Sequence, residues 1–107
     1  MNPSPLEKVI EKRVCDYAKT KGCLCYKFVS PSKRSVPDRI FITPAGVVFF
    51  IEFKRLHQKP TPSQAVEIEK IRSKGVSVFV VDDVAVGKAM VDGMLVDRQK
   101  VVDLEEY

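Results

Sequence analysis

Two segments, Asp38 to Thr43 (DRIFIT) and Val47 to Phe53 (VVFFIEF), constrain the fold of this chain more than any other part of it. Both are rich in β-branched and aromatic residues and read as strands. The turn residues Pro44, Ala45 and Gly46 between them predict a tight antiparallel hairpin. Val47 to Ile51 are apolar at every position, as expected of a strand covered on both faces, where charge is rare unless something satisfies it. Yet Glu52 and Lys54 continue the same strand. Residues two apart project to one side, about 7 Å apart along the chain, so Glu52 and Lys54 share one face and Ile51 and Phe53 the other. Asp38 opens the preceding strand, and pairing across so short a loop brings its carboxylate beside Glu52.

The rest of the chain supplies the other layers of an α/β fold. Leu6, Ile10, Val14, Tyr17 and Ala18 recur at helical spacing, with Ser4 as N-cap, Pro5 at N1 and Glu7 at N3, and Gly22 ends the helix. Cys23 to Val29 (CLCYKFV) predicts a strand, and the serines and prolines of SPSKRSVP a loop. After HQKPTPS, Ser63 caps a second helix that runs to Gly75, and VSVFVV is a fourth strand. VAVGKAMVDGML predicts a short last helix, weakened by Gly87. The order is α-β-β-β-α-β plus a C-terminal element: a mixed sheet flanked by helices, with the second helix crossing between parallel strands.

At 107 residues with 45% hydrophobic and 30% charged positions, one soluble domain over residues 1–107 is expected. The net charge of +4 is a modest pointer to an anionic partner. Three cysteines, Cys15, Cys23 and Cys25, and one histidine, His57, do not make a four-ligand zinc site, and packing in a reducing compartment is the simpler reading. No apolar run approaches the ~20 residues of a membrane span. The charged N-terminus does not read as a signal peptide, so a cytoplasmic protein is expected, in the host cytoplasm if viral.

Two carboxylates at one place repel, and partial desolvation raises the pKa of one of them unless a cation neutralises the pair. Magnesium fits: it binds through one or two carboxylates, keeps several waters and leaves positions for a phosphate. Lys54 beside such a pair is placed to hold a nucleophilic water or a phosphate oxygen. The bland readings are a surface Glu-Lys pair and a turn aspartate, and the flanking apolar run and the combination of residues argue against them.

Pro37-Asp38, then 13 residues, then Glu52-Phe53-Lys54 resembles the signature of the PD-(D/E)XK nucleases, whose core has the same α-β-β-β-α-β order. Within that superfamily SVPDRIF, FFIEFKR and TPSQAVEIEKIRSKGVSVFVVDD are similar to the VRR-NUC domain family over Leu6 to Asp83. The chain departs from it in having no glycine in the loop before Pro37. The resemblance implies Asp38, Glu52 and the carbonyl of Phe53 as ligands of Mg2+ or Mn2+, with Lys54 orienting the attacking water. It implies Gln64 near the site, and a glutamate of the first helix, Glu7 or Glu11, which the sequence does not separate.

A basic cluster around the proposed site, Lys33, Arg34 and Arg39 with Lys54, Arg55 and Lys59, is expected to meet DNA together with Ser35, with a solvated loop as the bland alternative. The implied activity is metal-dependent hydrolysis of DNA phosphodiesters by an endonuclease. Its implied substrate is branched DNA such as a four-way Holliday junction, cut by a homodimer. The alternatives are a nickase or flap nuclease within a replication or repair assembly, and an inactive DNA-binding module. The dimer surface is sought on the first helix or in the C-terminal segment with Met90, Met94 and Leu95.

Overall fold

The structure is a computed structural model that describes residues 4–95. Seven elements follow one another: α1 (Ser4–Thr20), β1 (Leu24–Lys27), β2 (Arg39–Ile42), β3 (Val48–Phe53), α2 (Pro62–Arg72), β4 (Ser77–Val81) and α3 (Val84–Met94). They form one four-stranded sheet in the order β1-β2-β3-β4. β1, β2 and β3 run antiparallel in turn, and β4 lies parallel to β3 after the α2 crossover. The expected mixed sheet with flanking helices is thus the observed one.

The hairpin sets the register on which the site depends. Thr43 N–H donates to the Val47 carbonyl at 2.9 Å, Gly46 N–H to the Thr43 carbonyl at 2.9 Å, and Val47 N–H to Thr43 Oγ1 at 3.0 Å. Gly46 has φ +83°, which closes the turn in a conformation that costs glycine little. From there Phe41 pairs with Phe49 and Arg39 with Ile51, so the next position sets Asp38 opposite Glu52.

The two faces of the sheet are covered differently. On one face Phe41, Phe49, Ile51, Phe53 and Val81 pack with Ile10, Val14 and Ala18 of α1 and Val91 of α3. Phe41 and Phe49 stack there with ring centroids 4.8 Å apart. All three cysteines are free and buried in this core. The first apolar position of α1, Leu6, lies outside it at 60% exposure. The Ser4 side chain expected to cap α1 lies outside the described part of the structure. On the opposite face Ile68 of α2 and Val78 of β4 are buried, while Leu24, Tyr26 and Val48, toward the β1 edge, remain exposed.

Three expectations are corrected here. The cap of α2 is Thr61, not Ser63: Thr61 Oγ1 accepts from Gln64 N–H at 3.2 Å and Gln64 Oε1 accepts from Thr61 N–H at 2.9 Å, a capping box with Pro62 at the first helical position. Gly87 is a point of close approach in α3. A Cβ there would come within 2.5 Å of Val14 Cγ2 and 3.0 Å of Val81 Cγ1, so its lack of a side chain lets α3 seat on α1 and β4. The C-terminal apolar segment is also spent differently than expected. Met94 and Leu95 are half-buried against the core, Met90 is half-buried, and Val96 lies outside the described residues.

Candidate active site

The reaction centre suggested by the sequence lies where β2 begins and β3 ends. Pro37 is fully buried and fixes the entry to β2. Asp38 follows, its carbonyl accepting from Phe28 N–H at 2.9 Å, which continues the β1–β2 ladder. Its side chain turns to the neighbouring strand, where Oδ2 accepts from Phe53 N–H at 2.8 Å. One carboxylate oxygen is thereby held on the β3 backbone beside Glu52.

Glu52 is 2% exposed, a rare condition for a carboxylate without partners. Its Oε2 receives Lys54 Nζ at 3.2 Å and Gln64 Nε2 at 3.1 Å. The Lys54 stem lies largely buried, and its backbone N–H donates to the Val81 carbonyl at 2.8 Å, continuing the parallel ladder past β3. Gln64 uses both ends of its amide. Nε2 holds Glu52 while Oε1 caps α2.

The electrostatics follow from this packing. Burial, and then the Asp38 charge, push the Glu52 carboxyl up to about 7 from the usual carboxylate range, with Lys54 opposing. Burial also raises Asp38, against the lowering effect of the Phe53 amide, and Glu11 adds to the rise. Two carboxylates that resist ionisation side by side make a site that favours an added cation. Among the described residues no three or more His, Cys, Asp or Glu side chains form a group able to hold a metal ion. A pair of carboxylates with open coordination still suits magnesium, which keeps waters and takes few protein ligands, and does not suit a closed structural site.

The structure separates the two glutamates of α1. Glu11 Oε2 accepts from Arg39 Nε at 2.6 Å in a partly buried ion pair. Glu7 forms no ion pair among the described residues. Burial raises its carboxyl, and Asp38 and then Glu11 raise it further while Lys54 lowers it, which places Glu7 within the field of the site's charges. Glu52 feels Glu7 in turn.

The basic cluster divides. Lys33 and Arg34 line a cavity of about 290 Å³ with Asp38, beneath the loop from Ser30 to Val36. Ser35 Oγ donates to Ser63 Oγ at 2.9 Å, which ties that loop to the first turn of α2. Arg39 is engaged with Glu11, and Arg55 and Lys59 do not line the Asp38 cavity. His57 is exposed, with its N–H on Asp82 Oδ2 at 2.9 Å and φ +68° in the turn after β3. Sequence reasoning missed Lys27, which lines the Asp38 cavity from the end of β1. Its signal was available: a lysine closing the strand that must pair with the one Asp38 opens.

A mixed four-stranded sheet with this helix order, and a carboxylate pair and a lysine at the end of its central hairpin, define the α/β core of the PD-(D/E)XK nuclease class. A solved VRR_NUC domain superposes with a TM-score of 0.75 at 30% identity, over 80% of this chain and 94% of that one. The curated protein "Putative nuclease p44" of Acyrthosiphon pisum secondary endosymbiont phage 1 is 41% identical over 76 residues, 71% of this chain and 82% of its own. No family model matches the chain. It belongs to the VRR-NUC family.

Proposed function

We propose that this chain is a metal-dependent endodeoxyribonuclease that hydrolyses phosphodiester bonds in branched DNA, above all four-way junctions, as a homodimer. The observation that carries the reading is the meeting of three side chains in a member of this family, Asp38 opposite Glu52 across the hairpin and Lys54 Nζ 3.2 Å from Glu52 Oε2. The phage relative, named as a nuclease, supports the same chemistry.

Each side chain has a definite part. Asp38 and Glu52, with the carbonyl of Phe53, would hold Mg2+ or Mn2+, which supplies charge neutralisation at the phosphate and a more acidic water when bound. Lys54 then directs its ammonium to the attacking water or a phosphate oxygen, where negative charge accumulates as the P–O bond breaks. Phe53 N–H keeps the Asp38 carboxylate in place. Gln64 does the same for Glu52 from the start of α2, and that helix terminus itself favours an anion. Glu7 is the α1 carboxylate of the site, and Glu11 positions Arg39.

Branched DNA is favoured because a domain of this size has little surface for reading sequence, whereas two sites related by a two-fold axis match the symmetry of a junction. The deciding assay incubates the purified protein with junction, flap and plain duplex substrates, with and without magnesium. Paired symmetric incisions on the junction, only with the metal, are expected. Cleavage confined to one strand of flaps or nicked duplex would assign a nickase or flap nuclease, and binding without cutting any substrate would assign an inactive DNA-binding module. Calcium is expected to support binding without turnover, because its looser coordination holds water and phosphate less strictly.

A further inference from the structure

A second cavity, of about 360 Å³, opens between α1 and β1 on the side of the sheet away from α2. Five cations, Lys8, Lys12, Lys19, Lys27 and Arg39, line it against two carboxylates, Glu11 and Asp16. Those carboxylates are committed, Asp16 to Lys12 at 2.8 Å and Glu11 to Arg39 at 2.6 Å. Lys8, Lys19 and Lys27 are exposed and form no ion pair among the described residues. The groove therefore carries an uncompensated positive charge that the fold does not use.

Its placement connects it to the reaction centre. Lys27 and Arg39 are direct cross-strand partners, Arg39 adjoins Asp38, and Lys27 lines the Asp38 cavity as well. Lys8, Lys12 and Lys19 stand four and seven residues apart in turn along α1, a spacing that keeps all three on one flank of the helix. The span from Lys8 to Lys19 is about 16 Å at 1.5 Å per residue. That equals the axial rise of about five nucleotides of one DNA strand.

We infer that the α1–β1 groove carries the sugar–phosphate backbone of a DNA arm away from the reaction centre, with Lys8, Lys19 and Lys27 on its phosphates. The inference rests on DNA being the substrate and adds where an arm lies. A regular row of phosphates suits it better than an acidic protein does, because its lining is charged apart from Cys15 and offers no aromatic or aliphatic anchor of the kind protein interfaces require.

The test measures binding of the full chain to a labelled junction in calcium across a range of salt. The variant is the triple change Lys8→Gln, Lys19→Gln, Lys27→Gln, with Lys70→Gln in the last turn of α2 and Lys74→Gln just past its end as a charge control. The triple change is expected to weaken binding at least tenfold and to flatten the log–log salt slope by about two to three, since each phosphate neutralised by the protein adds about 0.9 to that slope. The control is expected to stay within twofold of the parent. Thermal melts of all three proteins check folding, which exposed lysine changes leave intact. An unchanged slope in the triple variant, an equal loss in the control, or preferential capture of an acidic peptide by the groove would each overturn the inference. If the parent binds and cuts junctions while the triple variant keeps its slope, the groove fails and the nuclease reading stands. If the parent neither binds nor cuts DNA, both fall.

Discussion

In the proposed mechanism Glu52 serves chemistry at the expense of the fold. Its carboxyl is raised to about 7 from 4.5, so the folded chain binds that proton more tightly than the unfolded one. The favourable contribution is complete below about 4.5 and is lost as pH rises through about 7, at most about 3 kcal/mol. Without divalent ions, Glu52→Gln is therefore expected to melt above the parent at pH 8 and close to it at pH 5, measured by circular dichroism. The same variant is expected to lose cutting. Asp38→Ala and Lys54→Ala are expected to reduce junction cleavage by at least a hundredfold while binding stays within a few-fold, read by gel assay and by fluorescence titration in calcium. Normal cutting by either would remove that residue from its role. The juxtaposition of these three side chains was legible in the sequence because strand alternation and a short hairpin leave almost no freedom in where they point. Glu7 and Glu11 were not separable, since both lie on one flank of one helix and the difference comes from a partner, Arg39, distant in sequence.

At the level of elements, α2 and α3 hold the corrections to the sequence reading. The sequence reading opened α2 at Ser63, whereas the reciprocal bonds between Thr61 and Gln64 set its start two residues earlier. Thr61→Ala is expected to cost about 1 kcal/mol of stability in urea unfolding, the usual loss for an N-cap. Gly87 illustrates a different limit. Local propensity marks it as a weak point of a helix, and only the tertiary packing against Val14 and Val81 reveals that any side chain there would collide. Gly87→Ala, stabilising in an isolated helix, is expected to lower the stability of the protein by about 1–3 kcal/mol through overpacking, measured by the same unfolding experiment.

For the whole molecule, the succession of elements and the crossover were legible because each element carries its own stop signal and because a helix between parallel strands admits one common arrangement. How apolar surface is shared among the elements was not. Met94 and Leu95 pack half-buried against the core, whereas Leu24, Tyr26 and Val48 are left exposed on one face of the sheet. The proposed homodimer predicts twice the 12.1 kDa chain mass in light scattering after size exclusion. No helix among the described residues is long and apolar enough to cross a membrane.

The double duty of Gln64 has a thermal consequence. Helix ends fray before cores melt, and here the fraying end holds the amide that steadies Glu52. On gentle warming the catalyst is expected to falter while its tertiary framework is still intact, so that the midpoint of heat inactivation falls below that of global melting. Replacing Thr61 should widen the gap between the two temperatures.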